Sequence, residues 1–249
     1  MNKLKSKIRT EVHAHTMVSQ HAYATLNEMI AACREKGLEL MALTDHGPAI
    51  PDGAIPWHFM CLKYLPRNID GFYLLHGAEV NIIDYAGGVD LDNELLSRLD
   101  WVIASIHRPC LPPGTEEDHT NTYLKVLENP YIDCLGHSGT PAYSYDIEAV
   151  VEAAKKYDKV IEINNHTFRG RPQSLENCEK IARACARIGT KVSLGTDAHS
   201  TFAVGNTENA WALVEKVGIS EEQIVNLSAK SMLTYLCNRK GWDMSRFEN

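Results

Sequence analysis

Seven short runs of this chain are apolar almost without interruption, at residues 8–13, 38–44, 73–80, 101–106, 132–136, 160–163 and 192–195. Strands read this way when both faces of a parallel sheet are covered by helices. Stretches with a helical period fall between them. Thr25 and Glu28 form a capping box, Leu26, Met29, Ile30 and Cys33 mark one apolar face, and Gly37 supplies a stop. The same grammar predicts a helix over 121–128 halted before Pro130, and one capped by Asp146 with Ile147, Val150, Val151 and Ala154 on one side. Ser174 opens a further helix whose apolar residues Cys178, Ile181, Cys185 and Ile188 precede Gly189. Helical stretches at 203–217 and 228–239, with a capping box at Ser220 and Gln223 between them, complete the chain. Such alternation leaves two architectures, a barrel or a doubly wound sheet.

The ends of the runs carry the chemistry. In an extended strand His13 and His15 face one point while Val12 and Ala14 face the packing side. His21 follows closely. The second run ends Thr44-Asp45-His46-Gly47, the third carries Glu79, the fourth ends Ser105-Ile106-His107, the fifth Gly136-His137 and the seventh Thr196-Asp197-Ala198-His199. Only the sixth lacks such a residue in this reading. All carboxyl ends of a parallel barrel open on one face, where active sites lie. The nine candidates are therefore His13, His15, His21, His46, Glu79, His107, His137, Asp197 and His199. One zinc-like ion takes about three or four protein ligands, so the set implies two or three ions bridged by a carboxylate. Imidazole-rich sites favour zinc, manganese, iron or nickel over magnesium or calcium. Of the remaining histidines, His76 and His119 read as ordinary packing or surface residues, whereas His58 and His166 lie beside the expected mouth.

Length and charge narrow the partners. The 249 residues suit one barrel as well as two small domains. Lys plus Arg number 25 against 32 Asp plus Glu, a net charge of −7, which argues against a duplex-DNA surface but not against a small anionic substrate. Seven cysteines without a Cys-x-x-Cys pair fit reduced thiols. Nothing resembles a membrane span or a secretory signal, the basic stretch 1–9 lacking an apolar segment, so a cytoplasmic protein is expected. Two long proline-bearing connections, 47–71 and 108–120, read as pocket walls.

Taken together, His13-Ala14-His15, Thr44-Asp45-His46-Gly47-Pro48, Gly77-Ala78-Glu79, Ser105-Ile106-His107, His137 and Gly195-Thr196-Asp197-Ala198-His199 resemble the polymerase and histidinol phosphatase (PHP) family. Ser19-Gln20-His21-Ala22-Tyr23, Trp57-His58-Phe59 and Glu162-Ile163-Asn164-Asn165 resemble its YcdX-type phosphatase branch. The resemblance spans nearly the whole chain and implies an α/β fold, a distorted TIM-barrel-like (β/α)7 barrel forming a single PHP domain over 1–249. It also implies three divalent ions, zinc foremost, with manganese or iron as alternatives. By that likeness His13, His15, Glu79 and Asp197 hold the first, Glu79, His107 and His137 the second, and His21, His46 and His199 the third. Ser138, where the family has a proline after this histidine, is a departure that bears on loop geometry.

The activity so implied is hydrolysis of phosphate monoesters by a metal-activated hydroxide, with Asp197 orienting the nucleophile and Glu79 bridging. A phosphate usually also meets an arginine fork, for which Arg108, Arg169 and Arg171 are candidates, Arg171 first. A histidinol-phosphate phosphatase or a phosphodiesterase or nuclease of the same family is the alternative. A non-catalytic metal-binding scaffold is the alternative from another class. An amidohydrolase also opens with His-x-His, but it places a lysine where this chain has Ser105-Ile106-His107. A small phosphorylated substrate and no membrane are expected, nucleic acid is disfavoured, and a homo-oligomer stays open.

Overall fold

The computed structural model describes residues 6–248, so residues 1–5 of the basic amino-terminal stretch lie outside it. In chain order the strands are β1 (Thr10–Ala14), β2 (Leu40–Leu43), β3 (Asn68–Ile69), β4 (Phe72–Asn81), β5 (Trp101–Ser105), β6 (Cys134–Leu135), β7 (Val160–Glu162) and β8 (Lys191–Ser193). Seven of these are the apolar runs, all parallel, in the order β1-β2-β4-β5-β6-β7-β8. The eighth, β3, lies within the long connection 47–71 that the sequence marks as a pocket wall. It pairs antiparallel with β4 through Asp70 and Gly71, both left-handed at φ 50° and 82°, which is the Asp-Gly hairpin turn.

The sheet curls until its two ends meet at one rim only. Past β8, Ala198 bridges Ala14, donating its N–H to the His13 carbonyl at 3.2 Å and accepting from the His15 N–H at 2.9 Å. Towards the other rim, residues 224–227 wedge between β8 and β1. Val225 N–H reaches the Val192 carbonyl at 3.0 Å, Arg9 N–H reaches the Leu227 carbonyl at 2.9 Å, and the Asn226 side chain pairs with both backbone groups of Leu194. This is the distortion of the expected barrel.

Strand alternation divides the apolar residues into an inner and an outer set. Leu40, Ala42, Leu75, Trp101, Ile103 and Val160 share the inner cluster, while Met41, Leu43, Leu74, Val102 and Ile161 pack outward against helices. Leu233 and Leu236 of α9, introduced below, close the inner cluster. The interior is therefore apolar towards the amino ends of the strands, which leaves the carboxyl ends for polar groups. One expectation fails here. Thr10 and Glu11 face Leu40 and Met41, but Ala14 faces Leu43, so β1 carries one extra residue. Val12 keeps the inner side that Thr10's pairing with Leu40 sets, while the bulge puts Ala14 outside with Leu43, so the two do not share a face.

The helices are α1 (Leu26–Glu35), α2 (Pro56–Cys61), α3 (Asn93–Leu96), α4 (Glu116–Glu128), α5 (Ile147–Lys156), α6 (Thr167–Gly170), α7 (Leu175–Ile188), α8 (Glu208–Val217) and α9 (Ala229–Lys240). The Thr25 and Glu28 capping box starts α1, and Met29, Ile30 and Cys33 are buried. Three boundaries differ from the sequence reading. The helix expected from 121 begins five residues earlier because Thr115 and Asp118 form a capping box inside the supposed loop. The Ser220 and Gln223 box opens a single 3-10 turn, and the stretch from 203 becomes helical only at Glu208. Among the described residues no helix is long and apolar enough to cross a membrane.

Candidate metal centre

The carboxyl ends of the strands bring all nine predicted ligands to one rim. Glu79, at the end of β4 and fully buried, is the hub. Its Oε2 lies 2.8 Å from His46 Nδ1, 3.3 Å from His13 Nε2 and 3.5 Å from His15 Nε2. Its Oε1 faces the other way, 2.9 Å from His137 Nε2 and 3.6 Å from His107 Nε2, and accepts from Ser105 Oγ at 2.6 Å. Asp197 Oδ1 lies 3.3 Å from His15 Nε2 and 3.7 Å from His13 Nε2. Further out, His21 and His199 meet Nε2 to Nε2 at 2.8 Å.

Close approach of this kind demands small residues and some backbone strain. A Cβ on Gly195 would stand 2.3 Å from Glu162 Oε1 and 2.8 Å from the His13 Cβ, so that strand end must be glycine. His137 and Asp197 hold left-handed backbone at φ 25° and 54°. Strain in non-glycine residues persists where the surroundings over-determine it, commonly at functional sites.

The donor set fits cations. His13 Nε2, His15 Nε2, His46 Nδ1, Glu79 Oε2 and Asp197 Oδ1 are buried and meet no hydrogen-bond partner, although several approach one another at hydrogen-bond length. Misaligned contacts do not satisfy them, and each unsatisfied buried polar atom costs about 1–3 kcal/mol. Five orphans pointing at one place is the pattern that metal ligation resolves. Three groups have ligand atoms mutually close enough to share an ion: His13, His15 and Asp197; His46, Glu79 and His107; and His15, His46 and His199.

The electrostatics differ from group to group: against burial, neighbouring carboxylates raise His13 and His46. Burial would raise Glu79, but the rings of His13, His46 and His107 outweigh it and hold the carboxyl well below its usual range. Asp197 is likewise driven well down against burial by His13 and Arg171. Burial pushes His15 and His107 to about 3, keeping both rings neutral, as ligation requires.

Four imidazoles have Nδ1 fixed by an outer partner, leaving Nε2 directed at the cluster. His13 Nδ1 meets Glu162 Oε1 at 2.6 Å, His21 Nδ1 meets Asp52 Oδ2 at 2.6 Å, His107 Nδ1 meets Asn81 Oδ1 at 2.7 Å, and His199 Nδ1 meets its own neighbour, the Asp197 carbonyl, at 2.9 Å. Sequence reasoning overlooked these supports. It took the sixth run as contributing nothing, yet Glu162 ends that strand and also accepts the His137 N–H at 2.9 Å and Asn164 Nδ2 at 3.0 Å. An acid closing an apolar run was the available signal. Asp45 was passed over in the same way. It accepts from Thr16 N–H, Thr16 Oγ1 and Ser19 Oγ at 2.8–2.9 Å, pinning the loop that carries His21 beside His46.

Two of the flagged arginines reach the rim. Arg171 Nη2 donates to Asp197 Oδ2 at 3.0 Å, while its Nη1 is buried without a partner. Arg108 is exposed and lines, with Arg171, His107 and His137, a cavity of about 530 Å³. His58 instead sets Nε2 3.2 Å from Asp45, His166 is exposed and does not line that cavity, and His119 is buried with both ring nitrogens bonded.

Comparison with known proteins points the same way. The PHP domain model matches residues 11–168. A protein of Caldicellulosiruptor saccharolyticus named "Probable phosphatase" is 44% identical over 92% of this chain and 96% of its own length. Another of that name, from Acetivibrio thermocellus, is 42% identical over 94% of this chain and 97% of its own. Among solved structures, histidinol phosphate phosphatase of Lactococcus lactis, complexed with zinc, L-histidinol and phosphate, superposes with a TM-score of 0.61 at 18% identity, covering 87% of this chain and 95% of that one. A chain of archaeal ribonuclease P with mature tRNA reaches 0.57 at 10% identity, covering 94% and 92%. Likeness at that distance speaks for the fold alone.

Proposed function

The chain belongs to the PHP domain family, and from that premise we propose that it is a metal-dependent phosphatase hydrolysing phosphate monoesters at a centre of three divalent ions, zinc foremost, with the whole chain forming one such domain. The observation that carries this reading is the convergence of five unpartnered buried ligand atoms, three imidazole nitrogens and one oxygen each of Glu79 and Asp197, beside a cavity that two arginines line.

His13, His15, Glu79 and Asp197 would hold one ion, Glu79, His107 and His137 a second, and His21, His46 and His199 a third. The two oxygens of Glu79 face different imidazole sets, which suits it to bridge. Bound divalent ions lower the pKa of water towards about 7 and neutralise ester oxygens. Asp197 is held by Arg171 through one oxygen, so its other oxygen stays aimed at the cluster, where it orients the attacking water. The unpartnered Arg171 Nη1 receives a phosphoryl oxygen. Water's oxygen forms the new bond to phosphorus, the ester P–O bond breaks in line with it, and the leaving alcohol takes the proton.

The test uses purified protein with its metal content measured. Metal-loaded protein is expected to hydrolyse p-nitrophenyl phosphate, to lose that activity on chelation and to regain it with zinc, manganese or iron. Glu79→Gln should reduce turnover by about 100-fold or more. Preference for bis-p-nitrophenyl phosphate would shift the reading to a diesterase, and silence towards every ester by fully loaded protein would leave a metal-binding scaffold.

A further inference from the structure

The walls of the cavity beside the centre hold a second piece of chemistry. Arg171 and Arg108 both line it, and no aspartate or glutamate does. In a chain of net charge −7 such a lining is a local reversal of sign. The two guanidiniums are not equivalent. Arg171 is tied to Asp197 at 3.0 Å and so stands against the catalytic cluster. Arg108 is exposed and, among the described residues, pairs with no carboxylate. It follows His107 directly, so the backbone that fixes a ligand also fixes where this arginine begins. Between the two, the wall is built from Ile106, Thr140, Pro141, Tyr143 and Gln173. The Tyr143 hydroxyl is occupied by the Leu111 carbonyl at 2.6 Å, so that residue offers its ring.

We infer that the substrate is a small phosphate monoester whose leaving group carries a second anionic group, a carboxylate or another phosphate, and that Arg108 selects for it. The inference rests on the phosphatase reading and deepens it. A lone guanidinium beside a phosphate already met by Arg171 and the cation cluster has one unspent capacity, the paired donors that suit a carboxylate or phosphate. The same wall disfavours a cationic tail. The ammonium of an amino-alcohol phosphate would meet the unpaired Arg108 here and, in the lining, no acid to receive it. Electrostatic selection of this sort discriminates by repulsion as well as attraction.

The experiment compares kcat/KM of the metal-loaded enzyme for four probes: 3-phosphoglycerate and fructose 1,6-bisphosphate, with anionic tails, glycerol 3-phosphate, with a neutral tail, and phosphoethanolamine, with a cationic one. The wild type is expected to prefer the first two over glycerol 3-phosphate and to turn over phosphoethanolamine least. Carboxylate and phosphate tails are separated by the first pair. In Arg108→Ala the ratio of anionic-tail to neutral-tail kcat/KM should fall about 10- to 100-fold, and Arg108→Lys should recover part of it. A ratio unchanged by Arg108→Ala, or a wild type that hydrolyses all four alike or prefers phosphoethanolamine, overturns the inference while leaving the phosphatase reading standing. Hydrolysis of p-nitrophenyl phosphate but of none of the four overturns the inference alone, and failure on all five overturns both.

Discussion

At the residue scale the centre depends as much on the partners behind the imidazoles as on the imidazoles themselves. Glu162 is the clearest case, since one carboxylate fixes the His13 ring through Nδ1 and the His137 backbone through its N–H. Outer partners of this type typically govern metal affinity by about 10- to 100-fold. Glu162→Gln keeps the shape but removes the charge, so its dissociation constant for zinc should rise by about that factor in competition with a chromophoric chelator. Activity should return at excess metal. An unchanged affinity would reduce Glu162 to packing.

Among the elements, the segment 224–227 carries more than its length suggests. It stands where an eighth parallel strand would close a regular barrel, and Asn226 imitates a strand by pairing its side-chain Oδ1 and Nδ2 with the N–H and carbonyl of Leu194 at 2.9 and 3.0 Å. Its own carbonyl accepts from Thr10 Oγ1 at 2.6 Å. Asn226→Ala strands two buried backbone groups, so urea unfolding should show a loss of about 2–4 kcal/mol. Metal stoichiometry of the folded variant should not change, because Asn226 bonds Leu194 and Thr10, neither of them a candidate ligand. The bulge in β1 is a second device at this scale. One added residue puts Ala14 in the outer cluster while Val12 stays on the apolar floor, with His13 and His15 at the rim.

For the molecule as a whole, the consequence of burying so many imidazoles is a stability that depends on pH. His76, outside the centre, gives the simplest measure. Burial pushes it from 6.5 to about 4, against the attraction of Asp100, and its Nε2 has no partner. Between those values the unfolded chain binds a proton that the folded chain refuses, so stability rises with pH across that window and is lost as pH falls from 6.5 towards 4. The contribution is up to about 3 kcal/mol. In chelated protein, where metal release plays no part, the unfolding free energy of His76→Gln should fall less steeply than that of the wild type between pH 7 and pH 4. Parallel slopes would exclude His76 as a source of acid lability.

Periodicity alone was enough to place seven parallel strands and most helices, because buried strands and amphipathic helices must each satisfy a local pattern. The convergence of the nine candidate residues was equally legible, since in a parallel barrel every strand end opens on the same side, where His, Asp or Glu closing an apolar run are brought together. Local pattern could not reveal β3, whose two residues are too few to show a period, nor the early start of α4, hidden in a loop rich in proline and acid. Nor could it assign the partners of the imidazoles. Whether Glu162 ligates or supports, how the bulge in β1 divides Val12 from Ala14, and that Arg171 meets Asp197 while Arg108 stands alone are decided by distances between segments far apart in the chain. Those distances exist only once the sheet has curled and residues 224–227 have filled its seam.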